Sequence, residues 1–274
     1  MSDTFFKNDE RRVESRFFPA SRHNSRYATA TKNAVVNGGS NIGLRFPPTN
    51  FYHSLILPPK KLSSTTFWDT SLEIQKIIKE QVQTFVCVND QLKNVWDTLS
   101  VEDKLSQIII TEIGSGYGCL TLALAMMGFN KVQSIESDPE VFKALIKNLA
   151  LYGQTNIMAV NMDILKFVNL QGKHHHMMFL DPDWGEVYGQ KDILDPDDIT
   201  FAKMSLSVLC CSLLDILHMR MLFVKLPKKG RFDFDKFTTY LTGKTNRFKC
   251  TFKVEIKHLG HVSVAVIHNF NKKD

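Results

Sequence analysis

Two short stretches and a few outlying carboxylates carry residue types that could do chemistry together. The first stretch is Glu112-Ile113-Gly114-Ser115-Gly116-Tyr117-Gly118, which follows an apolar run and precedes another. Glycines at that address let the backbone turn tightly and let a ligand approach the N-terminus of the next helix. Loops of this kind serve many adenosine ligands, so the acidic positions must choose among them. Glu136 ends the next apolar run, about 20 residues on, where a carboxylate can accept both hydroxyls of a ribose. Glu112, just before the loop, can take the charged amino group of a methionine moiety, and nothing in Gly114-Ser115-Gly116 favours a pyrophosphate. Asp163, in Asn161-Met162-Asp163 after the third run, is placed for an adenine amino group. Each carboxylate alone could be a polar strand end. Three in register with the glycines point to S-adenosylmethionine, with Tyr117 a packing residue.

The second stretch is Asp181-Pro182-Asp183-Trp184-Gly185, directly after Met177-Met178-Phe179-Leu180. A carboxylate followed by proline at a strand end supplies an acceptor and a carbonyl aimed at the cofactor's methyl group, and Trp184 supplies a plate for a planar base. An exocyclic amine needs acceptors that turn its lone pair toward the electrophile. Asp181, Pro182 and Trp184 are therefore the candidate catalytic set, with Trp184 and Asp183 also binding the base. Lys225, Lys228, Lys229 and Arg231, at the end of a later strand, are candidates for phosphates on the same edge of a sheet. A rival arrangement, the lysine and carboxylate tetrad of ribose 2′-O-methyltransferases, would use Asp181, Lys225 and Glu255. No metal is expected: the five cysteines Cys87, Cys119, Cys210, Cys211 and Cys250 form no CxxC pair, and His174-His175-His176 reads as a solvated loop.

The elements that must hold these residues alternate between short apolar runs and helical periods. Strands are predicted over Ile108–Ile113, Val132–Ile135, Ile157–Val160, Met177–Leu180, Met221–Leu226, Phe252–Lys257 and Ser263–His268. Helices are predicted over Leu120–Met127, Pro139–Tyr152, about Asp198–His218 and Phe234–Leu241. Unbroken apolar runs such as Ile108–Ile113 suit parallel strands buried on both faces. Leu259-Gly260-His261 is too short for a crossover helix, so the last two strands must be antiparallel neighbours. The expected fold is α/β: a Rossmann-like class I methyltransferase with a mostly parallel seven-stranded sheet closed by an antiparallel C-terminal hairpin.

Before residue 107 the pattern differs. Residues 65–106 repeat apolar positions at helical spacing, from Leu72 through Leu99, and form a short helical extension with Trp68 and Trp96 as packing aromatics. Residues 1–64 are rich in Ser, Asn, Gly and Pro and read as a partly disordered arm. From Met1 to Lys61 ten basic residues face four acidic ones, a surplus equal to the whole chain's net charge of +6. A basic arm interleaved with Phe17, Phe18 and Tyr27 suits a polyanion, although a solvated tail would look alike. No apolar run reaches the roughly 18 residues of a membrane span, and the first residues lack the apolar core of a secretory signal, so no membrane partner and a nuclear or cytoplasmic location are expected.

In order and content, EIGSGYGCLTLALA, SIESDPE, MDILKF, LDPDWGEVYG and LFVKLPKKG resemble the catalytic domain of trimethylguanosine synthases, the cap guanine-N2 methyltransferases. The resemblance spans about residues 107 to 270 and is most specific at Trp184-Gly185. It implies an RNA partner bearing a 7-methylguanosine cap, with Trp184 stacked on the methylated base, and methyl transfer from S-adenosylmethionine to guanine N2. Asp183 and Glu186 stand where that family has proline and glycine; the added carboxylates could grip a cationic base or suit another substrate. An internal RNA base amine, a cap ribose 2′-oxygen, or a catalytically weak RNA-binding subunit are the alternative readings.

Overall fold

In the computed structural model the described residues are 15–17, 68–85, 92–171, 176–185, 187–201, 203–216, 219–243 and 252–269. The sheet strands are β1 (Ser15–Phe17), β2 (Ile109–Ile113), β3 (Lys131–Glu136), β4 (Ile157–Asn161), β5 (Met177–Leu180), β8 (Met221–Pro227), β9 (Phe252–His258) and β10 (Val262–Asn269). A separate pair, β6 (Thr200–Phe201) and β7 (Met204–Ser205), forms a small hairpin between β5 and β8. The helices are α1 (Trp68–Gln83), α2 (Val101–Leu105), α3 (Cys119–Met126), α4 (Pro139–Tyr152), α5 (Ile164–Gln171), α6 (Val187–Gln190), α7 (Leu206–Ile216) and α8 (Phe234–Thr242).

The sheet order is β1-β4-β3-β2-β5-β8-β10-β9. Strands β2, β3, β4, β5 and β8 are mutually parallel, and β10 lies antiparallel between β8 and β9. This is the expected seven-stranded class I methyltransferase sheet. One strand was not foreseen: Ser15–Phe17, in the arm read as irregular, pairs antiparallel with Met158–Val160 at the far edge. The rest of the arm lies outside the described residues, as do Cys87, Cys250, His174, His175 and Glu186.

Alternation along each buried strand feeds two cores. Ile110, Phe179 and Phe223 pack toward α1, α3 and α4, while Ile113, Leu180 and Val224 pack toward α7 and α8. Two features depart from the sequence reading. The helix expected from about Asp198 begins at Leu206. Asp198 instead folds back to accept from the Asp195 N–H at 2.9 Å, and the chain then turns through β6 and β7 with Lys203 at φ +64°. Helix α5 was not anticipated; the Asp163 carboxylate accepts from the Leu165 N–H at 2.8 Å, satisfying one of the amide donors that every helix N-terminus leaves open. No helix among the described residues is long and apolar enough to cross a membrane.

Candidate active site

Parallel strands deliver their C-terminal ends to one edge, and the sheet order brings the ends of β2 and β5 side by side. Gly114, at φ +76°, follows β2; a Cβ built there would lie 2.4 Å from the Asp181 carbonyl oxygen and 3.7 Å from the Phe201 ring. Both the left-handed backbone and this close approach require glycine. The Gly114 and Ser115 N–H groups donate to the Ile135 carbonyl at 3.0 and 3.1 Å, tying the loop to β3. Glu136, at the end of β3, reaches back: its Oε2 accepts from the Gly116 N–H at 2.9 Å and its Oε1 from the Asp138 N–H at 2.8 Å. Burial raises the Glu136 pKa, and those backbone N–H groups partly offset the rise. Gly118, at φ +91°, then opens α3.

Glu112 sits beneath this loop at 1% exposure. Its Oε2 accepts from the Thr121 hydroxyl, which lies 3.0 Å from Ser134 Oγ. Burial pushes the Glu112 carboxyl up to about 8; the Thr121 hydrogen bond opposes the rise, and Asp181 adds to it. Glu112, Gly114, Ser115, Gly116 and Glu136 thus meet at one loop. Asp163 is half-exposed at the neighbouring strand end, where it caps α5.

The register Leu180↔Val224 places Asp181 beside Lys225. Lys225 Nζ lies 2.7 Å from Asp181 Oδ1 and 2.8 Å from Oδ2, with the two side chains 6% and 8% exposed. The same ammonium lies 5.6 Å from the centroid of the Trp184 ring. Trp184 is half-buried, tilted against Tyr188 at 5.0 Å, and its buried Nε1 has no hydrogen-bond partner among the described residues. Pro182 is buried. Asp183 is exposed and accepts from the Gly185 N–H at 3.0 Å, which shapes the turn.

Two sequence assignments change. Lys225 is not a surface phosphate ligand but the counter-ion of Asp181, within reach of the indole. Arg231 donates to the Tyr188 carbonyl and covers that ring at 5.1 Å, so it braces α6. Lys228 and Lys229 are exposed on the turn after β8. Glu255 lies on edge strand β9, paired with Lys253 and Lys257 and near His268, so it does not complete a tetrad with Asp181 and Lys225. Cys119, Cys210 and Cys211 are buried core residues, and His176 uses Nδ1 to accept from the Ile109 N–H. Residues the sequence reading did not single out are Thr121, Tyr188 and Phe201. Thr121 is legible as the first hydroxyl of α3, whereas Phe201 reaches the glycine loop through a hairpin where the sequence predicts helix.

The sheet order, the reversed β10 and the glycine loop at the end of β2 define a class I methyltransferase. The family described as RNA cap guanine-N2 methyltransferase matches residues 107–272, and the chain belongs to that family. An uncharacterized protein of Acanthamoeba polyphaga mimivirus is 28% identical over 221 residues, 78% of this chain and 85% of that protein. The N-terminal domain of human METTL16 superposes with a TM-score of 0.52 at 15% identity, covering 80% of this chain and 76% of that one. The T. thermophilus 16S rRNA N2 methyltransferase RsmC, solved with AdoMet and guanosine, gives 0.50 at 15% identity, covering 78% of this chain and 46% of that one. The protein is an S-adenosylmethionine-dependent RNA methyltransferase.

Proposed function

We propose that the enzyme methylates an exocyclic base amine, N2 of guanine in a 7-methylguanosine RNA cap. The observation that carries this reading is the placement of the half-buried Trp184 beside Asp181, at the strand end that the glycine loop contacts through Gly114. Gly114 lets the loop pack against the Asp181 carbonyl, and a Cβ at Gly116 would meet nothing within 4 Å, so the loop backbone is open there to a ligand. Gly114, Ser115 and Gly116 would line the methionine end of S-adenosylmethionine, with Glu112 beneath it for the amino group. Glu136 retains lone pairs for the two ribose hydroxyls after accepting its two backbone N–H groups. Asp163 would receive the adenine amine. The bound cofactor supplies an electrophilic methyl group on a sulfonium. Asp181 and the Pro182 carbonyl orient the amine, Trp184 carries the base, Asp183 contributes negative charge at the mouth, and Lys228 and Lys229 meet cap or backbone phosphates.

One observation favours a second acceptor. A carboxylate held by a lysine at this edge could instead receive the proton of a ribose 2′-hydroxyl, and Asp181 with Lys225 is such a pair. Glu255 is absent from it, which favours the base amine.

The test is methyl transfer from labelled cofactor to 7-methylated and unmethylated cap analogues, followed by digestion to nucleosides. A cationic ring gains a cation–π contribution on indole, so the 7-methylated cap should be the better acceptor, and Trp184→Ala should cost roughly 2 kcal/mol or more in kcat/KM. Trp184→Phe should keep part of the activity. Equal turnover of both analogues by the wild type, or a Trp184→Ala variant as active as wild type, would overturn the cap-guanine reading, and label in a 2′-O-methylnucleoside would overturn the base-amine reading.

A further inference from the structure

Lys225 places an ammonium inside the site, against both the Asp181 carboxylate and the Trp184 ring. It comes from the buried C-terminal half of strand β8 and is 5% exposed. It touches both oxygens of Asp181, so a single ammonium fixes the rotation of the carboxylate as well as balancing its charge. It also lies over the face of Trp184. The indole N–H makes no hydrogen bond among the described residues, so the ring is positioned by packing against the core beneath it, against Tyr188 and under the Lys225 ammonium. Tyr188 is held in turn by Arg231, from the turn that follows β8. Lys225 of β8 therefore contacts both Asp181 and Trp184 of the target motif, with Arg231 bracing Tyr188 behind the ring.

We propose that Lys225 is a specificity-determining positioning residue: seated between the Asp181 carboxylate and the Trp184 ring, it fixes the carboxylate for methyl transfer and weakens the site's preference for a positively charged base. Its charge acts twice in the same direction. It already draws on the electron-rich face of the indole, and it cancels the carboxylate that would otherwise attract a cation. A neutral side chain of similar length removes both effects. Binding selectivity for a cationic base then rises while turnover falls, a divergence that loss of packing alone would not produce. The inference rests on the cap-guanine reading for the identity of the base.

The experiment measures binding of 7-methylated and unmethylated cap dinucleotides to the full chain in the presence of S-adenosylhomocysteine, with turnover in parallel. Lys225→Met should raise the affinity ratio, methylated over unmethylated, by about threefold or more, as expected for removing one charge from a partly desolvated site, and lower kcat about tenfold or more through loss of orientation. Lys225→Arg, which keeps the charge, should leave the ratio near wild type. Lys225→Gln serves as a second neutral variant if Lys225→Met does not fold, and near-wild-type S-adenosylhomocysteine affinity identifies folded protein. An unchanged or lower ratio in the neutral variants overturns the role of Lys225. A wild type without preference, from which a neutral variant gains one, supports that role while removing the cap reading. No preference in any variant removes both.

Discussion

Glu112→Gln isolates one buried charge. The carboxyl is 1% exposed and its pKa is pushed from 4.5 to about 8, with burial the largest cause. Between those values the folded protein keeps a proton that the unfolded chain has released. Stability contributed by this group is therefore full below about pH 4.5 and lost as the pH rises through about 8. At about 1.4 kcal/mol per unit, the loss is on the order of 3 to 5 kcal/mol across that window. Glutamine has the same shape, can still accept from Thr121, and does not titrate. Wild type and Glu112→Gln should have similar stability near pH 5, and the variant should be the more stable by a few kcal/mol near pH 9. Glu136, raised in the same direction, remains in both proteins, as do the lowered carboxyls of Asp195, Asp198 and Glu255, so the difference reports Glu112. Urea unfolding at a series of pH values measures it. Parallel profiles for the two proteins would refute the argument.

Other consequences are equally open to measurement. Gly114→Ala must enter a left-handed conformation costing roughly 1 to 2 kcal/mol and displace the Asp181 carbonyl, so calorimetry with S-adenosylhomocysteine should show at least about tenfold weaker binding. Glu136→Ala should also weaken cofactor binding about tenfold or more, since two hydroxyls lose a charged acceptor worth roughly 1.5 to 3 kcal/mol; unchanged affinity in a folded variant would remove it from the site. Deleting residues 1 to 45 should leave cofactor affinity intact while flattening the salt dependence of RNA binding, and identical slopes would make the arm passive.

The sequence by itself determined what depends on neighbours along the chain. The glycine loop, Asp163 after β4 and the antiparallel closing hairpin are local matters of backbone freedom, strand ends and connection length, and Pro139–Tyr152 follows from its Asp138 cap, N-terminal proline and apolar period. Helix α5 also has a local signal, Asp163 followed by Ile164 and Phe167. Tertiary structure alone decided what depends on register. Asp181 and Lys225 are 44 residues apart, and only the pairing of Leu180 with Val224 brings them together and turns an apparent phosphate ligand into a buried counter-ion. Likewise, apolar periodicity could not tell that Thr200–Ser205 would turn back as a hairpin, because the pairing Thr200↔Ser205 and the bond from the Leu206 N–H to the Ile199 carbonyl, not a helical period, satisfy the backbone there. That turn sets Phe201 over Gly114, a contact between segments far apart in the chain that no local preference encodes.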